Sequence, residues 1–144
     1  MNYIMNWKIC MDEHIKKVET DYERIKSIIK MCRIRLKITK KIIVDKETAS
    51  IIAADYYEII KELLTALLLK KGLKSNNHEC LISFFKYSYP KYEYEAQAIH
   101  QLKNIRNRVS YEGIFVKKEY IETNKLEIEH IIDLLNKLVE ETKK

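Results

Sequence analysis

Between Ala98 and Val116 the chain reads AIHQLKNIRNRVSYEGIFV, which gathers cationic, amide and phenolic groups within a few residues. Arg106, Asn107, Arg108 and Tyr111 have chemistry to offer, with Lys103 three residues upstream. A guanidinium presents a planar fork of N–H donors suited to a phosphate or carboxylate, and the adjacent amide adds a donor and an acceptor. Glu112 is the only carboxylate between Glu95 and Glu119, so the local charge is positive. Ala98, Leu102, Ile105 and Val109 recur at the period of one helix face. Arg106 flanks that stripe, so its stem can be covered while its head reaches solvent. Asn107 and Tyr111 are four apart and share a face. Glu112-Gly113 ends the helix, since glycine accepts a left-handed conformation. Two readings fit these residues. One is an anion pocket; the other is an Arg-Asn pair tying a helix end to its neighbour.

The run Arg106-Asn107-Arg108-Val109-Ser110-Tyr111 resembles the Arg-Asn-x-x-x-His signature of the HEPN superfamily of small helical proteins. Upstream, ADYYEIIKELL at 54–64, GLKS at 72–75 and HECLI at 78–82 resemble the family's second and third helices. The resemblance covers the chain after about residue 31. It implies a four- to five-helix up-and-down bundle that pairs as a homodimer, with the site where two motifs meet. It also implies metal-independent ribonuclease chemistry, in which Arg106 holds the phosphate and a His moves the proton. Many members are toxins partnered by a minimal nucleotidyltransferase. An acidic residue of the preceding long helix, here Glu58 or Glu62, would orient Arg106. The departure is at the proton-transfer position, where this chain has Tyr111. An unperturbed phenol titrates near ~10 and is a poor base at neutral pH. Along the chain no other His lies close by: His100 is six residues before Arg106, and His130 lies further on. In the toxin branch a Tyr two residues beyond the His is adenylylated; here that position is Gly113.

Composition sets the frame. A chain of 144 residues, 47% hydrophobic and 33% charged, is long enough for one domain with a real core, numbered 1–144 with 1–11 as an N-terminal extension. Two Gly and one Pro leave few breakers, which favours long helices over a sandwich or barrel. A net charge of +6 and a pI near 9.1 favour acidic partners, nucleic acid first. Cys10, Cys32 and Cys80 are odd in number and lack C-x-x-C spacing, so unpaired thiols in a reducing cytoplasm are expected. No apolar run is long enough to span a membrane. No Gly-rich phosphate loop or metal-ligand spacing calls for a cofactor.

Helical periodicity places the elements around the motif. A first long helix is expected over 12–44 with Asp12 as its cap, and with a break near residues 38–40. Lys26, Lys30, Arg33, Lys37 and Lys40 form a basic stripe on it, read either as a phosphate track through Arg33 and Lys37 or as a solvated face. A second, most buried helix is expected over 46–71, capped by Asp45 and ended by Gly72. A third starts at Asn76 as a capping box with Glu79, with His78 in its first turn as a structural group, and closes at Pro90. The tyrosines at 87–94 suit base stacking or an interface. The motif helix is expected over 92–111, followed by an apolar connector at 113–116 tucked against the core and a closing helix over 118–142.

These residues point first to a module that holds RNA or a nucleotide phosphate with Arg106, Asn107 and Arg108, helped by Lys103, Arg33 and Lys37. The catalytic alternative is a ribonuclease using Arg106, Asn107 and Tyr111. A protein-interaction module is the third reading.

Overall fold

In the computed structural model, which describes residues 3–141, the most apolar stretch of the chain becomes its central helix, α3 (Ala49–Lys70). Thirteen of its 22 residues are buried, so it is surrounded rather than laid on a surface. The other helices are α1 (Trp7–Glu13), α2 (Tyr22–Thr39), α4 (His78–Ser88), α5 (Glu93–Glu112) and α6 (Lys118–Glu141). α2, α4, α5 and α6 all pack on α3. The result is an all-α bundle with one short antiparallel ribbon, β1 (Ile15–Lys17) against β2 (Leu73–Ser75). Two polar contacts anchor the central helix. The buried Tyr56 hydroxyl donates to Glu129 of α6 at 2.7 Å, and the Thr39 hydroxyl donates to Asp55 at 3.4 Å.

The first sixth of the chain departs from expectation. The helix expected over 12–44 is two helices separated by a strand, and its cap is Asp21, which accepts from the Arg24 amide, rather than Asp12. Ile15, Lys16 and Lys17 pair with Ser75, Lys74 and Leu73, and the Val18 amide extends the pairing to the Gly72 carbonyl at 2.9 Å. Backbone pairing with a distant segment overrides a helical apolar period here. Gly72 is placed by this contact: it has φ +72°, and an added Cβ would lie 3.2 Å from the Val18 oxygen. The break expected near 38–40 is present, since α2 ends at Thr39.

α1 belongs to the fold and packs on α4. Trp7 packs on Phe84 and stacks on Tyr87, with ring centroids 5.6 and 5.8 Å apart. A disulfide joins Cys10 of α1 to Cys80 of α4, which corrects the expectation of unpaired thiols; Cys32 is free and buried. Burial raises the Cys32 thiol to about 12, so it behaves as a small hydrophobe. Phe85 packs with Tyr89 and Tyr92, so those two tyrosines serve the bundle itself.

Smaller corrections are local. The α4 cap is Asn77, not Asn76: its side chain accepts from the Glu79 amide at 2.8 Å. Asp45 accepts from the Glu47 and Thr48 amides one turn before α3, and these bonds hold its carboxyl below the ordinary range. Gly113 ends α5 at φ +69°, as expected, with the Ile114 amide returning to the Arg108 carbonyl. Beyond it only Val116 is buried; Ile114 and Phe115 are exposed, so most of the connector is not tucked in. Residue 142, the expected end of the closing helix, lies outside the described residues.

Candidate anion-binding cleft

Three segments meet around an open cleft of about 620 Å3. The α1–β1 junction brings Glu13, His14 and Lys16. The approach to α4 brings Asn76, Asn77, His78 and Glu79. The last turns of α5 bring Lys103, Arg106, Asn107 and Tyr111. The β1–β2 pairing makes this meeting possible. Its Ile15–Ser75 register sets His14 beside the turn that leads into α4.

Arg106 is half-buried at the cleft wall. Its Nη1 donates to the Asn107 side-chain oxygen at 3.1 Å, and its guanidinium lies over the Tyr57 ring, 5.5 Å from the centroid. Stacking on an aromatic face fixes the fork while leaving its in-plane donors available. Among the described residues no carboxylate forms an ion pair with Arg106. Glu58 and Glu62, one of which the family resemblance would make an orienter of Arg106 and which the residues alone make ordinary carboxylates, pair with Lys61 at 3.0 and 3.4 Å. Tyr57, which supports Arg106 from α3, gave no signal in the sequence beyond its place on a buried helix. Desolvation raises its hydroxyl above the ordinary phenol range, so it stays neutral.

His78 is exposed at the cleft and stands 6.4 Å from the Tyr57 ring, so Tyr57 is a shared neighbour of His78 and Arg106. Desolvation, then the charges of Lys61 and Arg106, push its imidazole below the ordinary value. It is therefore neutral at pH 7 and able to accept a proton. The sequence reading kept His78 as structural and found no second His near Arg106 along the chain. Folding instead brings His78 and His14 to the wall that Arg106 lines. The first turn of α4 adds the positive end of a helix dipole at the same place.

The remaining expected site residues divide clearly. Asn107 and Tyr111 share the cleft with Arg106, and Tyr111 is 78% exposed. Lys103 reaches the cleft too, but its ammonium is buried and bonded to the Glu79 carboxylate. Arg108 lines a separate hollow with Ile105, Phe115 and Tyr120. Arg33 and Lys37 lie on α2 and do not line the cleft, and Arg33 pairs with Glu140 of α6. Among the described residues no group of three His, Cys, Asp or Glu side chains is placed to hold a metal ion, and no helix is long and apolar enough to cross a membrane.

This arrangement is suited to an oxyanion: one oriented guanidinium, a helix N-terminus and two imidazoles, open to solvent on one side. No protein-family model matches the chain, and comparison with curated proteins and with solved structures gives no match.

Proposed function

We propose that this protein is a HEPN-like module that holds RNA or a nucleotide by a phosphate in the Arg106 cleft. The observation that carries the reading is Arg106 itself. Its guanidinium is oriented by Tyr57 and Asn107, borders an open polar cleft, and is paired with no carboxylate among the described residues. A structural arginine at a helix end would spend its donors on the neighbouring helix; this one bonds to Asn107 of its own helix and lines the open cleft. The net charge of +6 favours the same class of ligand.

The test is fluorescence anisotropy with a labelled single-stranded oligoribonucleotide and with ATP as competitor, at low salt. Arg106→Ala is expected to weaken binding by about tenfold or more, the worth of a charge-assisted hydrogen-bond pair. Affinity should also fall as salt rises. Equal affinity in wild type and variant removes the reading.

The pairing of two copies belongs to the same proposal. Tyr111, Ile114 and Phe115 leave aromatic and aliphatic surface exposed at the end of α5 that carries the cleft. Sedimentation at the mass of a dimer is expected, and Phe115→Glu is expected to shift it to the monomer. A monomer for the wild type at micromolar concentration ends this part of the reading.

A further inference from the structure

We propose that Cys10, Cys80 and Met5 form a three-sulfur site for a soft monovalent metal ion, Cu(I), once the disulfide between the two cysteines is reduced. The site shares no residue with the Arg106 cleft and does not depend on how that cleft is read. Its ground is the convergence of three sulfur atoms. The Met5 Sδ lies 3.4 Å from the Cys10 Sγ and 3.7 Å from the Cys80 Sγ. Both cysteines are fully buried, and Met5 is half-buried beside them.

Local structure aims the thioether. Ile4 is buried in the core, and the Asn6 side chain caps α1 by accepting from the Lys8 and Ile9 amides at 2.8 and 3.4 Å. Met5 is held between these two anchors. Cys10 is fixed on α1 and Cys80 in the first turn of α4, with their Cα atoms 5.6 Å apart. The packing of Trp7 on Phe84 and Tyr87 ties the same two helices together when the cross-link is open. The positive end of the α4 dipole favours a thiolate at Cys80. An open hollow of about 520 Å3, bordered by Trp7, Lys86, Tyr87 and Glu93, reaches Met5 from solvent. Met5 therefore stands between an entry route and the buried cysteines.

The chemistry balances in two steps. A small dithiol gives two electrons and two protons to the Cys10–Cys80 bond, which breaks to two thiols, and the reductant leaves as its own disulfide. Cu(I) then displaces both thiol protons to water, forms two metal–thiolate bonds and takes the Met5 sulfur as a third donor. With metal–sulfur bonds of about 2.3 Å, a trigonal ion holds its sulfurs about 4 Å apart. The thioether is already close to that distance from both cysteines, so rotation of the cysteine side chains completes the triangle. The donor set also selects the ion. Thiolate and thioether sulfur suit Cu(I). Among the described residues no third His, Cys, Asp or Glu joins the two cysteines, so Zn(II), which takes four donors, is left short. Bound there, the ion ties α1 to α4 in the reduced protein as the disulfide does in the oxidised one.

The experiment reduces the full chain with dithiothreitol, removes the reductant without air, and titrates Cu(I) in competition with bathocuproine disulfonate. The oxidised chain, Met5→Leu, Cys80→Ser and Cys32→Ser are run beside it. The reduced wild type is expected to take up one equivalent and to recover most of the Tm that reduction removes. X-ray absorption should show three sulfur neighbours at about 2.3 Å. The oxidised chain and Cys80→Ser should take up none, and Cys32→Ser should match the wild type. Met5→Leu conserves volume and keeps the disulfide, so its oxidised form should melt close to the wild type while its reduced form binds Cu(I) about tenfold or more weakly. No uptake by the reduced wild type overturns the inference. Equal affinity in Met5→Leu, or two sulfur neighbours instead of three, overturns it too, and this arm decides the matter even where Cys80→Ser fails to fold. Zn(II) that displaces Cu(I) at equal concentration overturns the choice of ion.

Discussion

Cys10→Ser is expected to lower the stability of the protein by about 4 kcal/mol, the loop-closure entropy of a cross-link that spans 70 residues. Cys10 and Cys80 are both fully buried and carry the contact between α1 and α4. The apolar packing of Trp7 on Phe84 and Tyr87 remains in the variant, so α1 loosens rather than detaches. Thermal unfolding should show a fall in Tm on the order of 10 °C, and the same fall when the wild type is reduced with dithiothreitol. The variant itself should not respond to reductant. A Tm unchanged by the substitution would show that the cross-link contributes nothing to stability. The effect should extend to the cleft, because Glu13, His14 and Lys16 follow Cys10 by only a few residues. Disulfides persist where thiols are oxidised, so this bond removes the support that an odd cysteine count lent to a reducing compartment.

Lys103→Met is expected to cost about 3 kcal/mol, because it strands a charge rather than because it deletes a favourable pair. Lys103 is 4% exposed and its ammonium bonds to one Glu79 oxygen. The other Glu79 oxygen is buried without a hydrogen bond, 4.0 Å from the His100 ring. Removing the ammonium leaves a largely covered carboxylate with no cation in contact. Urea unfolding should report the loss, and Glu79→Gln combined with Lys103→Met should recover most of it. A single variant as stable as the wild type would mean that water already satisfies Glu79. The pair also explains why Lys103 makes a poor phosphate ligand despite its place on the cleft.

Much of the bundle was legible because it is written in local terms. The apolar periodicity of α3 and α5 and the glycine that stops α5 are set by residues within a turn or two of each other. Asn107 and Tyr111, four apart on one helix, line the same cleft, as the helical period leads one to expect. The failures all depend on partners far along the chain. Ile15, Val18 and Tyr22 continue a helical period without a Gly or Pro to interrupt it, and only the pairing with Leu73–Ser75 turns that stretch extended. The bonds between Cys10 and Cys80 and between Glu79 and Lys103 likewise leave no local trace. His78 was placed correctly in the first turn of its helix, but its neighbours, Tyr57 and Arg106, are supplied by α3 and α5.

The β1–β2 ribbon also bears on the order in which the molecule assembles. α2 and α3 are consecutive and can find each other early, whereas the ribbon joins positions about 60 residues apart around both of them. Closing so long a loop is entropically slow and becomes favourable only once the enclosed helices have condensed. The cleft is thus among the last features to exist, and a chain stalled short of completion exposes no assembled cleft.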